Sequence, residues 1–166
     1  ATFALDTYGS DPCACFQLKG ANACSPSETE LNIRMHKAIS IIQFKVEGQI
    51  IKEHPEFCLE DRNLLHRIDL DKGTILLEGG EQEMLDNHFP TMDPADPYRL
   101  TAEENAIMER LAAAFQNCEK LQQHMRFLLA KGSLYKVYNG NLLYHGCIPL
   151  NRDGSFKAVD IYGQNY

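Results

Sequence analysis

Residues 25–55, SPSETELNIRMHKAISIIQFKVEGQIIKEHP, carry the reading that decides the architecture. Ser25 can cap a helix, Pro26 suits the first helical position, and Glu28 stands where a capping box places its carboxylate. Leu31, Met35, Ala38, Ile39, Ile42, Val46 and Ile50 then recur on one helical face. Ile33, Ile41 and Phe44 lie off that face, so the middle of the helix is expected to be buried on two sides. His54-Pro55 ends it, because a residue before proline avoids the α region.

Toward the C-terminus a short helical segment over 60–65 is expected first. The period then changes. Residues 67–70, 74–78 and 81–85 are short runs separated by Asp71-Lys72-Gly73 and Gly79-Gly80, the signature of a small antiparallel meander with one wet face. Pro90, Pro94 and Pro97 mark a loop over 86–100. Thr101-Ala102-Glu103-Glu104 is a second capping box. From it Ile107, Leu111, Ala114, Cys118, Leu121, Met125 and Leu128 alternate steps of four and three, the seam of a helix packed on another helix. One helix of about 30 residues and about 45 Å is expected, stopping at Gly132. The seam suits the first long helix, or a second copy of the chain. Asn139-Gly140 between apolar-rich runs predicts a hairpin over 134–145, since a type I′ turn needs positive φ at both central residues.

Toward the N-terminus, Gly9, Pro12, Gly20 and Pro26 punctuate residues 1–26, and no period persists. An irregular lead-in is expected there. Three regions follow: 1–26 lead-in, 27–132 helices and meander, 133–166 hairpin and the start of a further segment. The fold class is α+β: two long packed helices, a small antiparallel meander and a C-terminal β-hairpin.

The chain has 166 residues and a net charge of −7. Such acidity disfavours nucleic-acid phosphates, and no Lys/Arg run offsets it. No stretch has the ~18 consecutive apolar residues of a membrane span, and no signal peptide is expected in the chain as given. Cys58, Cys118 and Cys147 stand alone among apolar neighbours and read as small hydrophobes. Cys13, Cys15 and Cys24 cluster without the paired C-x-x-C knuckles of a zinc site, so reduced thiols in the cytoplasm are expected over a zinc or redox role.

Common catalytic motifs are missing: no G-x-G-x-x-G, no P-loop, no H-E-x-x-H and no G-x-S-x-G. His36, His54, His66, His88 and His124 read as surface or core histidines. Asp69-Leu70-Asp71-Lys72-Gly73 is similar to the start of a calcium loop but lacks the remaining oxygen ligands, so it reads as a turn. His145 differs by position. It ends a strand and precedes Gly146, which places an imidazole at a sheet edge where a metal can approach. By spacing alone, a hydrogen-bonded structural histidine remains the competing reading, since one ligand is not a site.

Lys131-Gly132-Ser133-Leu134-Tyr135, Tyr138-Asn139-Gly140-Asn141-Leu142-Leu143 and His145-Gly146-Cys147-Ile148-Pro149 resemble the class III fructose-1,6-bisphosphatases, bacterial enzymes with a metallophosphoesterase-type core. Other blocks are similar in order: His36-Lys37-Ala38-Ile39, Ile42-Gln43-Phe44-Lys45, Ile50-Ile51-Lys52, Ile68-Asp69-Leu70-Asp71-Lys72, Phe89-Pro90-Thr91, and Glu119-Lys120-Leu121 with His124-Met125. Residues 1–29 match poorly. Of the family's metal motifs D-x-H, G-D-x-x-D-R-G, G-N-H-D, a strand-end His before Gly, and G-H-T-P, only the fourth is placed here, as His145-Gly146.

The resemblance implies an internal fragment of a much longer metallophosphoesterase-type fold. It implies a cytoplasmic gluconeogenic hydrolase that removes the 1-phosphate of fructose 1,6-bisphosphate with water activated by a dinuclear Mn²⁺ site. His145 would be one metal ligand. The isolated fragment is expected to be inactive, and a homo-oligomer is compatible with the pattern. The alternative is a non-catalytic binding or oligomerisation module built on the long helical seam.

Overall fold

Helix formation at Ser25 follows the sequence closely. In a computed structural model, which describes residues 1–17, 25–133, 135–147, 149–161 and 163–165, the Glu28 N–H donates to Ser25 Oγ and the Ser25 N–H donates to the Glu28 carboxylate. Gly20, Cys24, Leu134 and Ile148, all used above, lie outside the described residues. The chain divides into two compact units, residues 1–113 and 114–166.

In the first unit, helix α2 spans Pro26–Glu53 and ends at His54, as the His54-Pro55 pair predicts. Its buried stripe is rotated from the expected one. Ile33, Lys37, Ala38, Ile41, Ile42, Lys45, Gly48 and Ile51 are buried, whereas Met35, Ile39, Phe44 and Ile50 are exposed. The cause is electrostatic: Lys37 and Lys45 find partners inside, so long side chains occupy positions that an apolar count assigns to solvent.

Within the expected lead-in, described residues 1–17 hold two short helical elements. Helix α1 (Thr2–Tyr8) packs Ala4 and Tyr8 against Ala38 of α2, and a 3₁₀ turn follows at Ala14–Phe16. Seven residues without a capping side chain leave little sequence signal, and packing on α2 supplies the stability that local propensity does not. The short helix expected over 60–65 is instead a series of 3₁₀ turns, Pro55–Phe57, Glu60–Arg62 and Leu65–Arg67.

The meander forms as expected, from strands β1 (Ile68–Asp69), β2 (Thr74–Leu77) and β3 (Gly80–Glu83) in the order β1-β2-β3. Ile75 sits opposite Ile68 on one side and Gln82 on the other. The segment at 69–73 is a turn. Asp69 Oδ1 accepts from the Asp71 and Lys72 N–H groups, the Gly73 N–H donates to the Asp69 carbonyl, and Gly73 takes φ +70°. Behind it Leu65, Met92 and Tyr98 form a second core cluster with Ile68, Leu70 and Phe89 against it.

The expected 30-residue helix is two helices. α3 spans Ala102–Gln116 and α4 Glu119–Lys131, with Cys118 at the N-cap in extended geometry. Asn117 and Cys118 are weak helix formers, and asparagine competes for backbone hydrogen bonds. Glu104 is the buried residue of α3, and the expected seam is interrupted at Asn117-Cys118. Gly132 follows α4 as expected, in extended rather than left-handed conformation.

In the second unit, β4 (Tyr135–Tyr138) and β5 (Asn141–Tyr144) pair antiparallel, Tyr135 opposite Tyr144 and Val137 opposite Leu142. Asn139 at φ +50° and Gly140 at φ +75° form the tight turn that Asn-Gly predicts. A second small ladder joins β6 (Asp160–Ile161) to β7 (Gln164–Asn165).

Candidate functional site

His145 follows β5 directly, held there by the hairpin register, and it is exposed. Gly146 beside it adopts φ +91° with open space around its α-carbon. The strand-end placement expected from the sequence is therefore present. Among the described residues, no group of three or more His, Cys, Asp or Glu is gathered closely enough to hold a metal ion.

The densest titratable cluster lies elsewhere, and sequence reasoning missed it. Lys37, wholly buried, donates from Nζ to Asp11 Oδ2 at 2.6 Å and to Asp86 Oδ1 at 2.5 Å. Asp11 Oδ2 also meets His88 Nδ1 at 2.6 Å, and Asp11 Oδ1 accepts from the Cys13 N–H at 2.7 Å. The Lys37 ammonium further lies 5.6 Å from the Tyr8 ring centroid and 5.7 Å from that of Phe89. Three segments distant in sequence thus converge on one ammonium group: the turn after α1, α2, and the loop after β3.

The electrostatics follow from that geometry. Burial alone would raise the Asp11 carboxyl, but hydrogen bonds from Lys37, the Cys13 N–H and His88 outweigh it and hold it down at about 2. Burial works against a charged Lys37 as well. Its hydrogen bonds to Asp11 and Asp86 prevail and push it up, so it stays protonated at neutral pH and cannot act as a base. Burial pushes the Tyr8 phenol up to about 12. The ammonium occupies the position between the carboxylates that a metal cation would need, so the cluster is a charge-compensated tie. The signal available in sequence was Lys37 and Lys45, eight residues apart on one side of a helix whose neighbours at 38, 41 and 42 are apolar.

Lys45 repeats the device. Its wholly buried side chain donates to both carboxylate oxygens of Glu104, at 3.1 and 2.8 Å, and to the Thr91 carbonyl at 2.6 Å. Glu104 also accepts from the Thr101 N–H, so the capping box read from the sequence anchors α3 on α2.

Three further histidines, His36, His54 and His66, make local contacts. His36 meets the Phe16 edge, His54 stacks on Phe57, and His66 Nδ1 lies 2.8 Å from the Tyr98 hydroxyl. The five described cysteines are free. Cys58, Cys118 and Cys147, read as small hydrophobes, are exposed, Cys58 closing a 3₁₀ turn and Cys118 at the N-cap of α4. Cys13 is buried, and burial together with the neighbouring Asp11 charge pushes its thiol up, which opposes thiolate reactivity.

The family profile described as Firmicute fructose-1,6-bisphosphatase matches residues 1–166. A fructose-1,6-bisphosphatase class 3 of Clostridium novyi (strain NT) is 54% identical over 168 residues, covering 100% of this chain and 25% of that protein. The protein of the same description from Listeria innocua is 52% identical over 168 residues, with 100% and 26% covered. That from Parabacteroides distasonis is 48% identical over 169 residues, with 100% and 25% covered. The chain thus spans about a quarter of the length of the curated relatives it matches. The match includes residues 1–29, where the motif reading found little similarity. No solved structure matches the chain. Agreement at about half of all positions along its whole length, with a family profile matching every residue, places this chain in the Firmicute fructose-1,6-bisphosphatase family.

Proposed function

We propose that the chain is part of an enzyme that hydrolyses the 1-phosphate of fructose 1,6-bisphosphate, acting in gluconeogenesis in the cytoplasm. The observation that carries this is the near-50% identity over the whole chain to proteins described as class 3 fructose-1,6-bisphosphatases. A metallophosphoesterase-type core would then be completed by the parts of the longer protein outside this quarter. No described helix is long and apolar enough to cross a membrane.

His145 suits one position of a Mn²⁺ pair. A neutral imidazole is a common transition-metal ligand, the ring is exposed at a strand end, and Gly146 leaves space for close approach. The hairpin fixes where that ring stands, because the Asn139-Gly140 turn sets the register of β5. Bound metals would supply the positive charge and Lewis acidity that an acidic chain lacks toward a bisphosphate. The other ligands would come from outside this chain.

Two experiments test the reading. In the full-length enzyme, His145→Ala is expected to lower bound Mn²⁺ per protomer, measured by elemental analysis, and to reduce phosphate release by at least about 100-fold. Unchanged metal content would remove His145 from the site. The 166-residue chain alone is expected to release no phosphate from fructose 1,6-bisphosphate with Mn²⁺, and release above the uncatalysed rate would contradict that. The alternative of a module built on one long seam loses its continuous helix at Asn117-Cys118.

A further inference from the structure

The Lys37 nitrogen is a buried group that the phosphatase reading does not use. The Lys37 side chain is 0% exposed, and those of Asp11 and Asp86 are 1% and 8% exposed. Nζ lies 2.6 Å from Asp11 Oδ2 and 2.5 Å from Asp86 Oδ1, and the Tyr8 and Phe89 rings flank it at 5.6 and 5.7 Å. A 2.5 Å contact to the oxygen sets Nζ roughly 3–3.5 Å from the Asp86 carboxyl carbon, the range of near-attack geometry. Asp86 Oδ2 is itself buried and has no hydrogen-bond partner. Such an oxygen is costly, because neither water nor a donor offsets its burial.

Lys45 and Glu104 provide the contrast. Lys45 Nζ reaches both Glu104 oxygens and also donates to the Thr91 carbonyl, and Glu104 Oε2 accepts from the Thr101 N–H. There the carboxylate is satisfied, and the second acceptor on the lysine is a carbonyl, which cannot carry a proton away. At Lys37 the second acceptor is the Asp11 carboxylate, which can. The Lys37 cluster thus places a nitrogen, an acceptor carbon and a proton carrier together in a buried space between aromatic rings.

We propose that Lys37 and Asp86 condense into an intramolecular amide, with Asp11 carrying protons between them. All three groups are charged at rest, so the reaction is slow and begins inside the cluster. Asp11 takes a proton from Nζ, and the freed lone pair forms the N–C bond at Asp86 Cγ. Asp11 returns that proton to a carboxyl oxygen and passes on a second from the nitrogen. The C–O bond then breaks and water leaves. An ammonium and a carboxylate become an amide and one water, with no change in net charge or oxidation state. One Asp86 oxygen departs, which relieves the unpaired buried charge, and the new amide N–H donates to Asp11. Fixed proximity supplies what a free amine and acid lack in water. The link joins α2 to the loop after β3 and uses no residue of the phosphatase reading, so the two stand separately.

The test follows the intact mass of the purified chain at neutral pH. A species lighter by one water is expected, present at isolation or building up over days. After trypsin, Lys37 is expected to stay uncut, with peptide 35–45 joined through it to peptide 73–99, which contains Asp86. Tandem mass spectra then place the link. Asp11→Asn is expected to slow its formation at least about tenfold, the effect of losing one proton-transfer group. The measurement on the unaltered chain decides the matter without any variant having to fold. Persistence of the full mass, or water loss mapped only elsewhere, such as a cyclic imide at Asp153-Gly154, would overturn the proposal. So would a Lys45–Glu104 link of equal abundance, or an unchanged rate in Asp11→Asn.

Discussion

Lys37 carries its ammonium group into a space without exposed surface, and two carboxylates make that tolerable. Removing the ammonium would strand both. Lys37→Met is expected to lower the unfolding free energy by about 3–5 kcal/mol, read from urea unfolding of the chain, because it leaves buried charge uncompensated. Asp11 sets the pH dependence. Its folded value of about 2 lies below the ordinary 3.8, so its contribution is fully present above the unfolded value and is lost as pH falls through the folded one. About 2 kcal/mol of stability should disappear between about pH 4 and about pH 2. Asp11→Asn should flatten that part of the profile, and an unchanged acid slope in the variant would assign it to other carboxylates. The partners of Lys37 could not be read from sequence, since Asp11 and Asp86 are 26 and 49 residues away from it.

At the scale of elements, the clearest lesson lies at Gly48, inside the C-terminal part of α2. Glycine there costs helix propensity, yet the Tyr98 ring lies where a Cβ would go. Gly48→Ala would gain about 1 kcal/mol of propensity and collide with that ring, which is itself held by its hydroxyl at His66 and by the Lys52 ammonium 4.5 Å from its centroid. A net loss of about 1–3 kcal/mol is expected in thermal or urea unfolding. A more stable variant would show that Tyr98 moves freely. The helix α2, the meander turns and the Asn-Gly hairpin were legible in the sequence because each is fixed by caps and turn residues a few positions apart. The break at Asn117-Cys118 was not legible from a seam reading, because an apolar period of four and three continues across a local interruption. α1 went unread because seven residues give no usable period.

On the scale of the whole molecule, the two units differ in what they bury. The first holds both core clusters and both buried lysine pairs. In the second, β4 and β5 are exposed along both strands, and Met125, Phe127, Leu128 and Leu129 of α4 are exposed as well. A two-stranded hairpin is marginal by itself. In the 166-residue chain, hydrogen exchange read by mass spectrometry is expected to be fast over 135–144 and slowest over 33–51 of α2. Equal protection in the two stretches would show that the hairpin is stabilised within this chain. The family's greater length offers a source for the missing cover, since this chain corresponds to about a quarter of its relatives.

The sequence by itself determined the long capped helix, the meander, the hairpin with its strand-end His145, and the family to which the chain belongs. Those depend on signals that are local or that accumulate along the chain. Tertiary structure alone decided which face of α2 is buried, that residues 1–17 form part of the core, and that Asp11, Lys37, Asp86 and His88 meet. Charges become partners only when the fold brings them within about 3 Å, and burial reverses the ordinary preference of lysine for water only once those partners are in place.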